Sequence, residues 1–329
     1  MTRASRPWLG LTLGDPAGIG PEVVLAALRD ADVAREARIL CVGPARLRPA
    51  HAAELAAPTR EALAGLDGHA WLATPAADGI ELGRVQRAGG EAALAALRAG
   101  VELASRGVVD ALVTAPVSKE ALHLAGERVE GQTELLGRWA GVERYEMVAI
   151  AGPLRVMLLS RHMPLAKALA AVTRERVLDH LLLFDETLRR LGFARPKLAL
   201  AGLNPHAGER GILGTEELEL LEPAVADARG RGLDVVGPLS PDTVFLQAFR
   251  GAFDGVLALY HDQAFIPVKL AAPETGLTLI AGLPYLRISP AHGTAFDIAG
   301  KGLASPKNLI VAVRQAAEWA RAGLASAQR

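Results

Sequence analysis

Short apolar runs alternate with Ala/Leu/Glu/Arg-rich stretches along the whole chain, and this alternation constrains its fold more than any other feature. The runs Leu9–Leu13, Arg38–Val42, Ala111–Thr114, Met147–Ile150, Arg155–Leu159, Lys197–Leu203, Gly255–Tyr260 and Leu277–Ala281 are β-branched or Leu-rich and short, which predicts strands. Stretches such as Glu91–Arg106, Arg174–Leu191 and Gln247–Phe253 predict helices. Strands separated by helices need crossover connections, so the expected class is α/β with a largely parallel sheet. No internal repeat or low-complexity linker breaks the pattern. Ala50–Gly79, rich in Ala, Gly and Pro, reads as a surface excursion.

The 329 residues suffice for one large or two medium α/β units. Lys and Arg total 36, and so do Asp and Glu; this balance removes the field that nucleic-acid binding needs. Arg greatly outnumbers Lys, so a single Lys is the more informative cation. The one cysteine, Cys41, excludes an internal disulfide framework and lies in an apolar run that reads as buried core. Arg3 and Arg6 precede an apolar run that Asp15-Pro16 cuts too short for a secretory segment, and no stretch reaches the length of a membrane span. A cytoplasmic protein without a membrane partner is expected.

The eight histidines are unevenly placed. His51, His69, His123 and His180 stand without companions and read as solvated or capped. Three others follow expected strands: Ser160-Arg161-His162 after Arg155–Leu159, Asn204-Pro205-His206 after Lys197–Leu203, and His261-Asp262-Gln263 after Gly255–Tyr260. Ligands of open parallel sheets bind beyond the carboxyl ends of strands, so these imidazoles are expected to converge. Three neutral imidazoles leave open positions on a divalent ion, as catalysis at a metal requires. Taken one at a time, each His merely caps its strand; three in equivalent settings favour a metal.

His292 lies in the Gly-rich segment 289–302, where Gly293, Gly300 and Gly302 permit close backbone approach and Asp297 offers an acceptor to an adenosine moiety. The loop Gly14–Glu22 contains Gly-x-Gly but carries Val23 in place of the third glycine of a dinucleotide fingerprint, so it reads as structural. Lys269 and Arg287 are candidate anion-binding cations. Taken singly, Arg287 reads as a surface charge, whereas Lys269 is bracketed by apolar residues.

Five segments together resemble the 4-hydroxythreonine-4-phosphate dehydrogenase family: Gly14–Glu22, Thr114–Lys119, Asn204–Glu209, Tyr260–Gln263 and His292–Gly302. The last is also similar to the cofactor loop of isocitrate and isopropylmalate dehydrogenases. The resemblance implies a two-domain α/β/α subunit of that broader fold group, with its active site in the interdomain cleft. One domain is expected over 1–130 plus 290–329, carrying the cofactor loop, and a second over 131–289. It also implies a homodimer whose partner completes the site. By the same resemblance His162, His206 and His261 are metal ligands for Zn, Mg, Mn or Co. Gln132, Thr133, Lys269, Thr278 and Arg287 bind substrate, and His292, Gly293, Thr294, Ala295 and Asp297 bind NAD or NADP. The family usually has His where this chain has Gln132, and Asn where it has Thr278.

The expected reaction is oxidation of the 3-hydroxyl of 4-phosphohydroxythreonine, followed by decarboxylation to 3-amino-2-oxopropyl phosphate, a step of pyridoxal phosphate biosynthesis. Asp242, Asp262 and Lys269 are the candidate proton acceptors; Lys269 requires burial for this role, and a helix N-cap is the alternative for Asp242. Within the dehydrogenases the alternative substrates are threonate or erythronate 4-phosphate and a dihydrodiol carboxylate. Outside them stand a metal-dependent hydrolase or lyase and a sugar-phosphate-binding regulator.

Overall fold

The computed structural model describes residues 6–75 and 79–323; Arg3 and residues 76–78 of the Ala50–Gly79 stretch lie outside them. The chain divides into two compact units, Met1–Glu143 with Leu283–Arg329, and Arg144–Gly282.

The first unit orders its strands β3 (Ala53–Glu54), β4 (Ala70–Thr74), β2 (Arg38–Pro44), β1 (Trp8–Thr12), β5 (Ala111–Thr114) and β12 (Arg287–Pro290). Every paired neighbour is parallel. Its central strands are buried along their length, which explains their unbroken apolar runs. Helix α4 (Arg87–Ser105) packs on β1 and β2, and α12 (Lys307–Arg321) packs on β12 and β5. Cys41 is fully buried on β2 and burial pushes its thiol pKa up, so it fills core as expected.

The second unit orders β11 (Leu277–Ala281), β6 (Glu146–Ala151), β7 (Leu154–Leu158), β10 (Gly255–Ala258), β8 (Lys197–Ala201) and β9 (Asp234–Leu239). Strand β6 runs antiparallel to both neighbours and turns into β7 through Gly152-Pro153, with Gly152 at φ 57°. Strands β7, β10, β8 and β9 are mutually parallel. Helix α8 (Arg174–Arg190) starts where the Thr173 hydroxyl accepts the Arg176 amide and ends with Arg189 and Arg190 in its last turn, matching the helix dipole. Helices α10 (Val244–Phe249) and α11 (His261–Ala271) close the core formed by Val156, Leu158, Val256 and Ala258.

Two sequence readings are overturned. Ala50–Gly79 is not a surface excursion: it holds β3, β4 and helix α3 (Arg60–Ala64). Trp71 on β4 is fully buried and its indole donates to the Gly43 carbonyl at 3.1 Å. One large aromatic anchors a strand that its Ala-rich neighbours disguise. The helix expected at Gln247–Phe253 starts earlier and stops at Phe249, because the chain turns through Gly251 at φ 86°. No helix among the described residues is long and apolar enough to cross a membrane.

Candidate active site

In the second unit β7, β10 and β8 are adjacent and parallel, so their carboxyl ends share one edge. His162 follows β7, His261 opens α11 after β10, and His206 lies in the tight turn Pro205–Gly211 after β8. The His162 and His261 rings stand 5.4 Å apart at 43°. Two imidazoles on one tetrahedral ion, bound at ~2.1 Å, hold their ring centres about 5 Å apart, so this pair fits a shared ion. His261 Nδ1 lies 2.9 Å from Asp262 Oδ1, a contact that with the proton on Nδ1 puts the ring's lone pair on Nε2, and Phe265 stacks on the ring at 4.6 Å. A carboxylate on the far nitrogen of a ligand histidine fixes its tautomer and orientation.

His206 is exposed on a backbone of opposite hand: His206, Ala207, Gly208, Glu209 and Arg210 all have positive φ, from 43° to 75°. Four are not glycine, and each costs roughly 1–2 kcal/mol. His206 lies within electrostatic reach of Asp242, whose carboxyl is held below its ordinary range chiefly by the Ser240 hydroxyl. Among the described residues no group of three or more His, Cys, Asp or Glu side chains is arranged around one ion position. The structure thus brings His162 and His261 together and leaves His206 beside Asp242.

The candidate proton acceptors separate. Asp242 is not the N-cap of α10, a place taken by Thr243; its Oδ1 instead accepts from Ser240 Oγ. Asp262 is exposed and bonded to His261. Lys269 is exposed in the last turn of α11, 6.0 Å from the Phe265 ring. The burial needed to make it a base is absent, because the apolar residues bracketing it in sequence fall on other faces of the helix. Thr278 is buried on β11, opposite Ala149. His180 is not solitary: its Nε2 lies 3.5 Å from Glu146, which also accepts from Arg161 Nη1 at 2.9 Å.

In the first unit Arg287 is 3% exposed, which corrects its reading as a surface charge. It opens β12, a four-residue strand ending in Pro290 that the sequence pattern does not announce. Its Nη2 donates to Thr114 Oγ1 at 2.6 Å and to Gln132 Oε1 at 2.9 Å, and its Nε donates to the same hydroxyl at 3.2 Å. Gln132 in turn donates to the Ala115 carbonyl at 3.3 Å. All these partners are neutral. Burial pushes the Arg287 pKa down to about 10, so the guanidinium stays charged at neutral pH. Thr133, buried behind Gln132, sits in the first turn of α6 (Gln132–Ala140). A buried cation with neutral partners is a seat for an oxyanion.

The segment 292–302 is braced by the loop Gly14–Glu22. The Ile19 amide donates to the Thr294 carbonyl at 3.0 Å, and the Gly300 amide to Glu22 Oε2 at 3.2 Å. Gly18 lies so close that a Cβ there would meet Thr294 O at 2.8 Å. The loop is therefore the support of the Gly-rich segment, a role its failed fingerprint concealed. Ala295 takes a left-handed φ of 41°, and Asp297 is exposed. His292 Nδ1 lies 3.0 Å from Gly293 O, while its Nε2 is hidden from solvent and meets no partner among the described residues. A Cβ at Gly293 would meet nothing within 4 Å. An orphaned ring nitrogen beside open backbone fits a nicotinamide dinucleotide. Sequence reasoning also missed Asp15, fully buried, whose Oδ1 accepts the Ala17 amide at 2.9 Å while Oδ2 has no partner among the described residues. Burial raises its pKa, opposed by that amide. Its place in a loop that failed the fingerprint gave no signal of burial.

The family model described as "Pyridoxal phosphate biosynthetic protein PdxA" matches residues 23–316. The chain is 43% identical to the D-threonate 4-phosphate dehydrogenase of Salmonella typhimurium, over 95% of this chain and 98% of that protein. It is 39% identical to the 4-hydroxythreonine-4-phosphate dehydrogenase of Geobacter metallireducens, over 96% of each. Among solved structures, the 4-hydroxythreonine-4-phosphate dehydrogenase of Klebsiella pneumoniae superposes with a TM-score of 0.84 at 36% identity, covering 95% of this chain and 99% of that one.

Proposed function

Since the chain belongs to the PdxA family of dehydrogenases, we propose that it oxidises the 3-hydroxyl of a four-carbon hydroxy-acid 4-phosphate, D-threonate 4-phosphate first among them, with NAD or NADP and a divalent metal. The observation that carries the substrate class is Arg287, a buried guanidinium whose partners are the neutral Thr114 and Gln132. A substrate phosphate supplies the missing negative charge, and the planar fork favours its bidentate capture. The 43% identity to a D-threonate 4-phosphate dehydrogenase supports a hydroxyl at C2 over an ammonium. Oxidation at C3 of that substrate leaves a ketone β to the carboxylate. Loss of carbon dioxide from it yields dihydroxyacetone phosphate.

His162, His206 and His261 would hold the metal, with Asp262 fixing the tautomer of His261. When bound, a divalent ion lowers the pKa of the substrate hydroxyl and stabilises the enolate left by decarboxylation. Asp242, kept ionised by Ser240, takes the hydroxyl proton. His292, Gly293, Thr294, Ala295 and Asp297 hold the nicotinamide dinucleotide, with His292 Nε2 as a polar anchor. Lys269, exposed on a long side chain, would meet substrate oxyanions rather than act as a base. The subunits pair as a homodimer through the apolar face of α10 and α11, where Leu246, Phe249, Ile266 and Leu270 are exposed.

The deciding experiment follows nicotinamide reduction with added Zn²⁺, Mg²⁺ or Mn²⁺ on threonate 4-phosphate, erythronate 4-phosphate and 4-phosphohydroxythreonine. Metal-dependent turnover that prefers a sugar-acid phosphate is expected, and His162→Ala abolishes it. Preference for the amino-acid phosphate overturns the substrate assignment. Product formation without nicotinamide reduction would instead favour a hydrolase or lyase.

A further inference from the structure

The three histidine-bearing loops are tied by buried polar side chains whose bonds fall within four residues before each histidine. Ser160, fully buried before His162, donates Oγ to the Leu259 carbonyl at 2.8 Å. Leu259, two residues before His261, donates its amide to Gln263 Oε1 at 2.7 Å. Gln263, 7% exposed, donates Nε2 to the Gly202 carbonyl at 2.7 Å, which carries the chain of bonds from the β10 loop to the β8 loop. There Glu217, 1% exposed, accepts the Leu203 and Asn204 amides on Oε1 at 2.8 and 2.7 Å, and Asn204 Nδ2 on Oε2 at 2.9 Å. Asn204 lies two residues before His206.

We infer that Gln263 is a positioning residue, which together with Ser160 and Glu217 sets the spacing of His162, His206 and His261. Beyond Leu158, Ala258 and Ala201 the regular strands end; one more backbone bond follows on each flank, from the Leu159 amide to the Ala258 carbonyl at 2.7 Å and from the Gly202 amide to the Leu239 carbonyl at 2.8 Å, and side chains add the ties beyond. A side-chain amide suits such a tie: Gln263 offers one acceptor and one donor, and both are used across two different loops. Ser160 ties the His162 loop to the His261 loop with one donated bond, and Glu217 fixes the His206 loop by accepting from Leu203 and Asn204. Glu217 Oε2 also packs under the left-handed turn, where a Cβ at Gly208 would lie 2.6 Å from it. A side chain at Gly208 would therefore displace the carboxylate that bonds Leu203 and Asn204. Satisfied polar networks of this kind specify one arrangement, because each half-made alternative leaves a buried group unpaired.

The inference rests on the metal reading above for its consequence, though not for its geometry. Its test compares wild type with Gln263→Met, which keeps the volume and removes both bonds, and with Ser160→Ala, which removes one hydroxyl and guards against a misfolded first variant. Zn²⁺ affinity is measured by chelator competition, and the metal-free forms are crystallised and melted. We expect Gln263→Met to weaken Zn²⁺ binding about tenfold or more, as loss of support behind metal ligands does. The metal-free crystals should show the His162–His261 ring spacing departing from 5.4 Å. Zn²⁺ affinity unchanged with the rings in place, or a loss of melting temperature with the rings in place, overturns the positioning role. If wild type binds no Zn²⁺, the metal reading fails by itself, and the ring spacing in the metal-free variants still decides the inference.

Discussion

A guanidinium that is 3% exposed and among the described residues meets a hydroxyl and an amide oxygen has given up hydration that these partners replace in part. On the proposed role, Arg287 costs the free protein stability in exchange for anion affinity, and the two effects are expected to separate on substitution. Arg287→Met is expected to raise KM for the phosphorylated substrate about a hundredfold while leaving the melting temperature unchanged or higher. Steady-state kinetics and thermal denaturation check both arms; a KM close to wild type removes Arg287 from the binding site. Asp15 makes the parallel case for a carboxyl. Burial raises its folded pKa above the usual 3.8, so the native state holds its proton more tightly than the unfolded chain does. The stability contributed by this group is present at low pH and is lost as pH rises through the folded value. Asp15→Asn keeps the acceptor for the Ala17 amide and removes the charge, and is expected to stabilise by about 1 kcal/mol at neutral pH. Melting curves across pH should show that gain shrinking toward acid, where Asp15 is itself neutral; a gain independent of pH would contradict the assignment.

At the scale of elements, the strands that read clearly were mostly apolar ones buried along their whole length, as in β1, β5 and β11. Strand β4 escaped because Ala70-Trp71-Leu72-Ala73-Thr74 has one dominant side chain, and β12 because Arg287 opens it and Pro290 closes it. The difference is measurable: Trp71→Ala is expected to cost about 3–5 kcal/mol in denaturant unfolding, the loss for a fully buried indole. A loss below about 1 kcal/mol would return the segment to the surface. The same contrast governs the site. The places of His162, His206 and His261 after their strands were legible because a residue just after a strand has a known place at the sheet edge, whereas the left-handed turn that carries His206 was not. Arg287 was not, since its burial depends on Thr114 and Gln132, which are remote in sequence. Nor was the tie through Gln263, whose amide accepts from Leu259 and donates to Gly202, 61 residues from Gln263. Local patterning places backbone; bonds from side chains to distant backbone leave no periodic trace.

At the scale of the whole molecule the exposed apolar side chains of the second unit need an explanation. Leu246 and Phe249 of α10 are 51% and 40% exposed, and Ile266 and Leu270 of α11 are 60% and 79% exposed. Together with Leu154 and Tyr260 they line one groove, edged by Asp242 and Asp262. Single exposed leucines are ordinary, but four large side chains grouped on two helices keep apolar surface in water that association removes. A formal net charge of zero offers no long-range repulsion between copies. Sedimentation at micromolar concentration is therefore expected to give a dimer, and Leu270→Glu, which places a charge at the centre of the covered face, is expected to give a monomer. Because Asp242 and Asp262 border that groove, separation of the subunits should also lower turnover, by about tenfold or more if the partner shapes the surroundings of either carboxylate. A wild-type monomer would overturn the assembly outright. A Leu270→Glu monomer with full turnover would keep the dimer but confine the chemistry to groups that one chain supplies.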